Sequence, residues 1–181
     1  RVDFFSAAIP EDYVELQKRF GTKVFQADYI QLNYASYECT FSFRNKKKVQ
    51  RDILIGNSAA PANNHLDVFE LLSKVDLGSR RVVVPLSYSI SHEYRSTVLE
   101  EGRRTFGERF CPLLDMMPVV DYMRLLSGCH AAFMNHYIQQ GLGNIGVLLD
   151  CGVRVYFADE NPVYRFIEQR GGRVFSIGDI S

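Results

Sequence analysis

Residues 129–162, CHAAFMNHYIQQGLGNIGVLLDCGVRVYFADENP, hold the densest set of groups able to do chemistry. Gly141, Gly143 and Gly146 spell G-x-G-x-x-G, after a strand-like run and a polar loop and at the start of an apolar helical run. That layout aims backbone N–H groups and the positive end of a helix dipole at one point, which suits phosphate. The stretch reads as a βαβ unit that holds a phosphorylated nucleotide. A dinucleotide fingerprint wants its first glycine at the strand end. Here Asn135–Gln140 intervene, which argues against NAD or FAD. A reading in which the glycines only let a helix pack close to the sheet stays open.

In an open α/β sheet, ligands sit beyond the carboxyl ends of the strands, so the residues just after each strand matter most. Gly56, Asn57 and Ser58 follow a strand-like DILIG run; they are either a plain turn or a backbone approach to phosphate or sugar, opened by the missing Cβ at Gly56. Ser87 and Tyr88 follow RVVVPL, and Asp115 follows FCPLL. Asn135, His136, Gln139, Gln140, Gly141, Gly143 and Asn144 follow or open the next helix after the CHAAFM run. Asp159, Glu160 and Asn161 come after VRVYFA. Neutral amides and backbone donors dominate, a set suited to a diphosphate. His136 is placed to meet a phosphate or a sugar hydroxyl, with a structural role as the alternative. His65 reads as a surface or capping residue in the first turn of its helix, and His92 and His130 as structural. Glu160 and Asn161 either grip a ribose or simply cap the helix that opens at Pro162. No Ser/His/Asp triad, nucleophile elbow or metal-ligand cluster is apparent, so catalytic residues stay unassigned.

These residues need a frame. Apolar runs read as strands at 2–9, within 23–32, and at 52–56, 81–86, 110–114, 131–134, 153–158 and 173–177. Helices are expected from Pro10 to Gly21, from Asn63 or Asn64 as cap to Lys74, from the cap Ser91 to Arg104, and over 119–127, 143–151 and 162–170. Pro85 marks the end of its strand. Strands alternating with helices predict an α/β fold, a parallel sheet with helices on both faces. RNKKK at 44–48 reads as a solvated connecting loop.

Composition sets outer bounds. The chain has 181 residues, of which 46% are hydrophobic, enough for one sizeable core. Its 21 basic and 21 acidic residues cancel, so nucleic acid is not an expected partner. The four cysteines, 39, 111, 129 and 151, match no zinc spacing and read as buried thiols of a reducing cytosol. No run approaches the ~18 apolar residues of a membrane span. The start at Arg1, directly before an apolar run, reads as an excerpt of a longer protein.

ILIGNSAAPANNH, VVVPLSYS, YIQQGLGNIGVLLDCGV and ENPVYRFIEQRGGRVFS together resemble the bacterial 4-α-L-fucosyltransferase type, glycosyltransferase family 56. The resemblance covers residues 50–181 well and the first 40 loosely. It implies a GT-B architecture of two Rossmann-like domains. Residues 1–50 would be the tail of the acceptor domain and a linker, and 51–181 the Rossmann-like donor domain. It further implies a nucleotide-diphospho-sugar donor, such as a dTDP-deoxyaminosugar or fucose-like sugar, and a lipid-linked saccharide acceptor reached through the other domain. It also implies that no metal or other cofactor is expected. Gly56–Ser58 would be the first donor loop, His136 and Gln139–Gly143 the diphosphate loop, and Glu160 and Asn161 the sugar or ribose loop. Ser58-Ala59-Ala60-Pro61 and Ser87-Tyr88-Ser89 depart from the family pattern. The implied setting is bacterial surface polysaccharide synthesis in the cytoplasm, with peripheral contact at the inner face of the inner membrane. The 181 residues alone are expected to bind donor and transfer little. A non-catalytic sugar-nucleotide module is the alternative. An NAD-dependent oxidoreductase or epimerase is disfavoured, since none of the ten tyrosines is followed four residues later by lysine.

Overall fold

The computed structural model describes residues 3–21, 27–31, 51–88 and 91–180. The expected loop at 44–48 and Cys39 lie outside them. In chain order the elements are β1 (Phe4–Ala7), α1 (Pro10–Phe20), β2 (Asp28–Gln31), β3 (Asp52–Ile55), α2 (His65–Ser73), β4 (Val82–Pro85), α3 (His92–Phe106), β5 (Phe110–Leu113), α4 (Val119–Leu126), β6 (Cys129–Met134), α5 (Leu142–Asp150), β7 (Arg154–Phe157), α6 (Pro162–Glu168) and β8 (Phe175–Ser176). Every expected strand and helix within the described residues is present, with ends shifted by a residue or two. β6 begins two residues earlier than the apolar run suggested.

β1 and β2 form a two-stranded parallel sheet, and β3–β8 a six-stranded parallel sheet in the order β5-β4-β3-β6-β7-β8. The central strands are nearly all apolar because both of their faces are covered. Alternation along each strand sorts the core into two layers. Ile53, Ile55, Val82 and Val84 face α2 and α3, where Phe69 meets Phe106 edge-on at 5.2 Å. Leu54, Val83, Ala132 and Met134 face the other way, toward Leu126, Ile145 and Leu148 of α4 and α5. Ile9, between β1 and α1, is buried in that second layer.

Prolines sit where a missing donor is tolerated: Pro85 ends β4, and Pro112 lies on the edge strand β5. Ser91 caps α3, accepting from Tyr94 N–H at 3.3 Å, and Asn161 caps α6, accepting from Val163 N–H at 2.8 Å. Asn64 does not cap α2. It adopts a left-handed φ of 48° and sends its side chain elsewhere.

The strand order reverses between β3 and β6, whose preceding and following strands lie on opposite sides. A crevice opens at the carboxyl ends of a sheet at such a point.

Candidate functional site

The turn after β3 is held by its own polar side chains. Gly56 has φ +67°, and its N–H remains bonded to the Phe133 carbonyl of β6 at 2.9 Å. A Cβ at Gly56 would lie 2.7 Å from His65 Nε2 and 2.8 Å from Asn63 Oδ1. The glycine is thus required by the protein's own packing, and the face freed of Cβ is filled by His65 and Asn63. Of the two readings open for Gly56, the geometry supports a turn set by the protein's own packing.

Asn63 is fully buried and folds the turn around itself. Its Oδ1 accepts from Asn57 N–H at 3.1 Å, and its amide nitrogen donates to the Ser58 carbonyl at 3.1 Å and the Ala60 carbonyl at 3.3 Å. Asn64 ties this turn to the loop after β6, donating to the Asn135 carbonyl at 2.8 Å, while Asn135 donates back to the Asn64 carbonyl at 3.3 Å.

His65 is completely enclosed, contrary to the surface role expected for it. The Tyr94 hydroxyl accepts from His65 N–H at 3.1 Å and lies 3.2 Å from Nδ1. The hydroxyl keeps one hydrogen and one acceptor site, so it pairs with Nδ1 in either tautomer, and the other ring nitrogen is Nε2. That nitrogen has no partner. Burial holds the ring neutral, its pKa lowered to about 4.

His136 is also fully enclosed, so its ring faces protein rather than the crevice. Its Nδ1 lies 2.9 Å from the Ile138 carbonyl and 2.9 Å from Asn161 Nδ2, and one nitrogen serves only one of them at a time. Burial again lowers the pKa to about 4, against the opposing pull of the Ile138 carbonyl. Asn161 is buried too, its oxygen spent on the α6 cap and its amide nitrogen directed at His136 and the Met134 carbonyl. The helix-cap reading of Asn161 is the one the geometry supports. Glu160 is exposed beside it.

In front of this polar web lies a cleft of about 560 Å³. Asn57, Ser58, Ser87, Tyr88, Gln140, Gly143 and Asn144 line it, all named from sequence. Gly56, His136, Gln139, Gly141, Glu160 and Asn161 do not line it. Gly141, the residue before α5, has φ +68°, and a Cβ there would lie 3.2 Å from Asn57 Cγ, so the β3 and β6 loops touch at this point. Asn57 Oδ1 and Gln140 Nε2 are buried without partners. One acceptor and one donor are thereby left unsatisfied at the polar end of the cleft, next to the N-terminus of α5.

The other end is apolar and was not read from the sequence. Leu113, Met117, Met123, Leu126 and Val147 form its wall, with Met116 (77% exposed) and Val119 (61%) on the rim. Its polar groups are Asp115 and Tyr122. Asn144 donates to the Tyr122 hydroxyl at 2.8 Å, and burial pushes the phenol pKa up to about 12, so it stays protonated. The amphipathic spacing of 119–126 signalled an apolar face but not that this face lines a cleft. Among the described residues that line the cleft, none is a lysine or an arginine. Among the described residues no group of three His, Cys, Asp or Glu side chains is placed to hold a metal ion.

A family model described as 4-alpha-L-fucosyltransferase, glycosyl transferase group 56, matches residues 13–180. The chain belongs to this family. The fold of this group 56 chain is similar to solved GT-B glycosyltransferase structures. The UDP-forming α,α-trehalose-phosphate synthase from Burkholderia xenovorans, in complex with glucose-6-phosphate, superposes with a TM-score of 0.70 at 8% identity, over 99% of this chain and 50% of that one. The corresponding synthase from Burkholderia vietnamiensis gives 0.63 at 10% identity, over 98% and 51%. The GtfA/B complex gives 0.66 at 10%, over 98% and 35%. At such identities the likeness speaks for the fold alone. The group 56 chain spans about half the length of the trehalose-phosphate synthases it matches. No helix among the described residues is long and apolar enough to cross a membrane.

Proposed function

We propose that residues 51–181 are the donor domain of a glycosyltransferase, and 1–50 the end of its acceptor domain with the linker. The donor is a nucleoside diphosphate sugar, with a dTDP-deoxyaminosugar or fucose-like sugar preferred. The acceptor is a lipid-linked saccharide of bacterial surface polysaccharide synthesis, met at the inner face of the membrane. In the transfer, an acceptor hydroxyl oxygen bonds to the anomeric carbon as the bond to the diphosphate oxygen breaks. The hydroxyl proton goes to a base outside the residues assigned here. Charge develops on the departing diphosphate, and stabilising it is the task of this half.

The observation that carries the reading is the pair of buried, unpartnered groups, Asn57 Oδ1 and Gln140 Nε2, on two residues that line the cleft at the reversal of strand order. Gln140 offers a donor to a phosphate oxygen and Asn57 an acceptor to a hydroxyl, while the α5 terminus adds its partial positive charge. The apolar end suits a planar base, since methionine sulfur packs well on aromatic rings. Calorimetric titration of the chain with dTDP, UDP, GDP and NAD tests this. A nucleoside diphosphate is expected to bind and NAD is not; binding of NAD alone would reverse the assignment.

A further inference from the structure

Ser58 lines the cleft, yet its residue is almost wholly buried. Its hydroxyl oxygen lies within hydrogen-bond reach of two donors, Ala60 N–H at 3.4 Å and Asn63 Nδ2 at 3.2 Å, the latter sharing its two hydrogens between this oxygen and the Ser58 and Ala60 carbonyls. A serine hydroxyl has two acceptor sites and one hydrogen to give. With both acceptor sites directed at the turn, the hydrogen is left over, and it has no acceptor among the hydrogen bonds of the described residues. The orientation of Asn63 is fixed independently. Its oxygen must meet Asn57 N–H, so its NH₂ must face the Ser58 and Ala60 carbonyls and the Ser58 hydroxyl. No flipped amide satisfies that set. The position a Cβ on Gly56 would take lies 2.8 Å from Asn63 Oδ1 and 2.7 Å from His65 Nε2, so Asn63 packs directly against this glycine.

We propose that Asn63 is a positioning residue that turns the Ser58 hydroxyl hydrogen into the cleft, where it donates to a phosphate oxygen of the donor. Asn63 itself never touches the ligand. It occupies one lone pair of Ser58 while Ala60 N–H occupies the other, so that an otherwise freely rotating hydroxyl is already aimed before the ligand arrives. A donor aligned in advance needs no reorientation on binding, and its bond to an anionic oxygen is stronger than one between neutral groups. This inference rests on the reading of the cleft as a diphosphate site.

The test is a double-mutant cycle read by calorimetry, with the tightest binder among UDP, dTDP and GDP and its matching nucleoside as probes. Ser58→Ala should weaken the diphosphate about tenfold, the scale of one charge-assisted hydrogen bond, and leave the nucleoside unchanged. Ser58→Thr, which keeps the hydroxyl, should restore most of the affinity. Asn63→Ala should weaken the diphosphate to a similar degree in the natural background and have little further effect once Ser58 is alanine. An Asn63→Ala loss that is equal in both backgrounds would mean a merely structural role and overturn the proposal. So would Ser58→Ala with undiminished diphosphate affinity, a comparison that stands even where Asn63→Ala fails to unfold cooperatively. If no nucleoside diphosphate binds the natural chain, the donor-site reading falls and takes this inference with it. If one binds and Ser58→Ala does not matter, only the inference falls.

Discussion

Gly56→Ala would put a methyl group where His65 and Asn63 already stand. The contacts, 2.7 Å to Nε2 and 2.8 Å to Oδ1, are shorter than real Cβ contacts, and neither partner is the loose end of a flexible chain. Left-handed φ costs alanine about 1–2 kcal/mol, overpacking about 1–3, and the stiffer unfolded chain returns about 0.4–1, for a net loss of about 2–3 kcal/mol. His65→Ala should cost a comparable amount, about 2–3 kcal/mol, through the void and the abandoned Tyr94 hydroxyl. Together they should cost less than their sum by about 1 kcal/mol, because removing the imidazole removes one of the two close contacts and leaves the one with Asn63 and the backbone strain. Urea unfolding followed by far-ultraviolet circular dichroism measures all four corners, provided the slopes stay equal. Additivity to within about 0.5 kcal/mol would refute the packing of the His65 ring on the β3 turn.

Two further outcomes follow from the same groups. Burial holds His65 and His136 at about 4 against the ordinary 6.5, so each is neutral in the fold and charges on unfolding. The unfolded chain binds more protons in that window. Stability is therefore full above pH 6.5 and falls toward pH 4, by about 3 kcal/mol for each histidine. His65→Gln should flatten the decline of the urea midpoint with falling pH; an unaltered decline would count against a neutral buried His65. Neutral donors and a helix terminus carry the phosphates in this reading, so nucleoside diphosphate affinity should be the same in EDTA and in magnesium, and a demand for the cation would refute it.

The frame was legible because local chemistry decides it. Residues 53–55 and 82–84 are apolar on both faces, as an interior parallel strand requires, and Ser91 and Asn161-Pro162 announce helix starts by their own side chains. Half of the site was legible for the same reason: Asn57 and Ser58 come directly behind a strand, and Gln140 and Gly143 stand where the loop after β6 turns into α5. The other half depends on partners remote in sequence. His65 looked solvent-facing because nothing near it reveals that Gly56 leaves room for its ring and that Tyr94 supplies its bond. His136 and Asn161 sit in loops that read as ligand-facing, yet they spend their side chains on each other. Tyr122 belonged to an apolar helical stripe, and periodicity does not disclose a hydroxyl that meets Asn144, 22 residues later.

The reciprocal amide bridge between Asn64 and Asn135 joins positions 71 apart in the chain. Everything N-terminal to β6 can leave the ribosome with the β3 turn made and nothing to clasp it. Loops so distant meet only after the slow, non-local step of assembling parallel strands, and the recognition surface is among the last features to mature. On the proposed donor-site reading, a nucleotide would select the completed protein and take no part in nucleating it. Its protection should be felt as slower opening of the native state, leaving the rate of folding untouched.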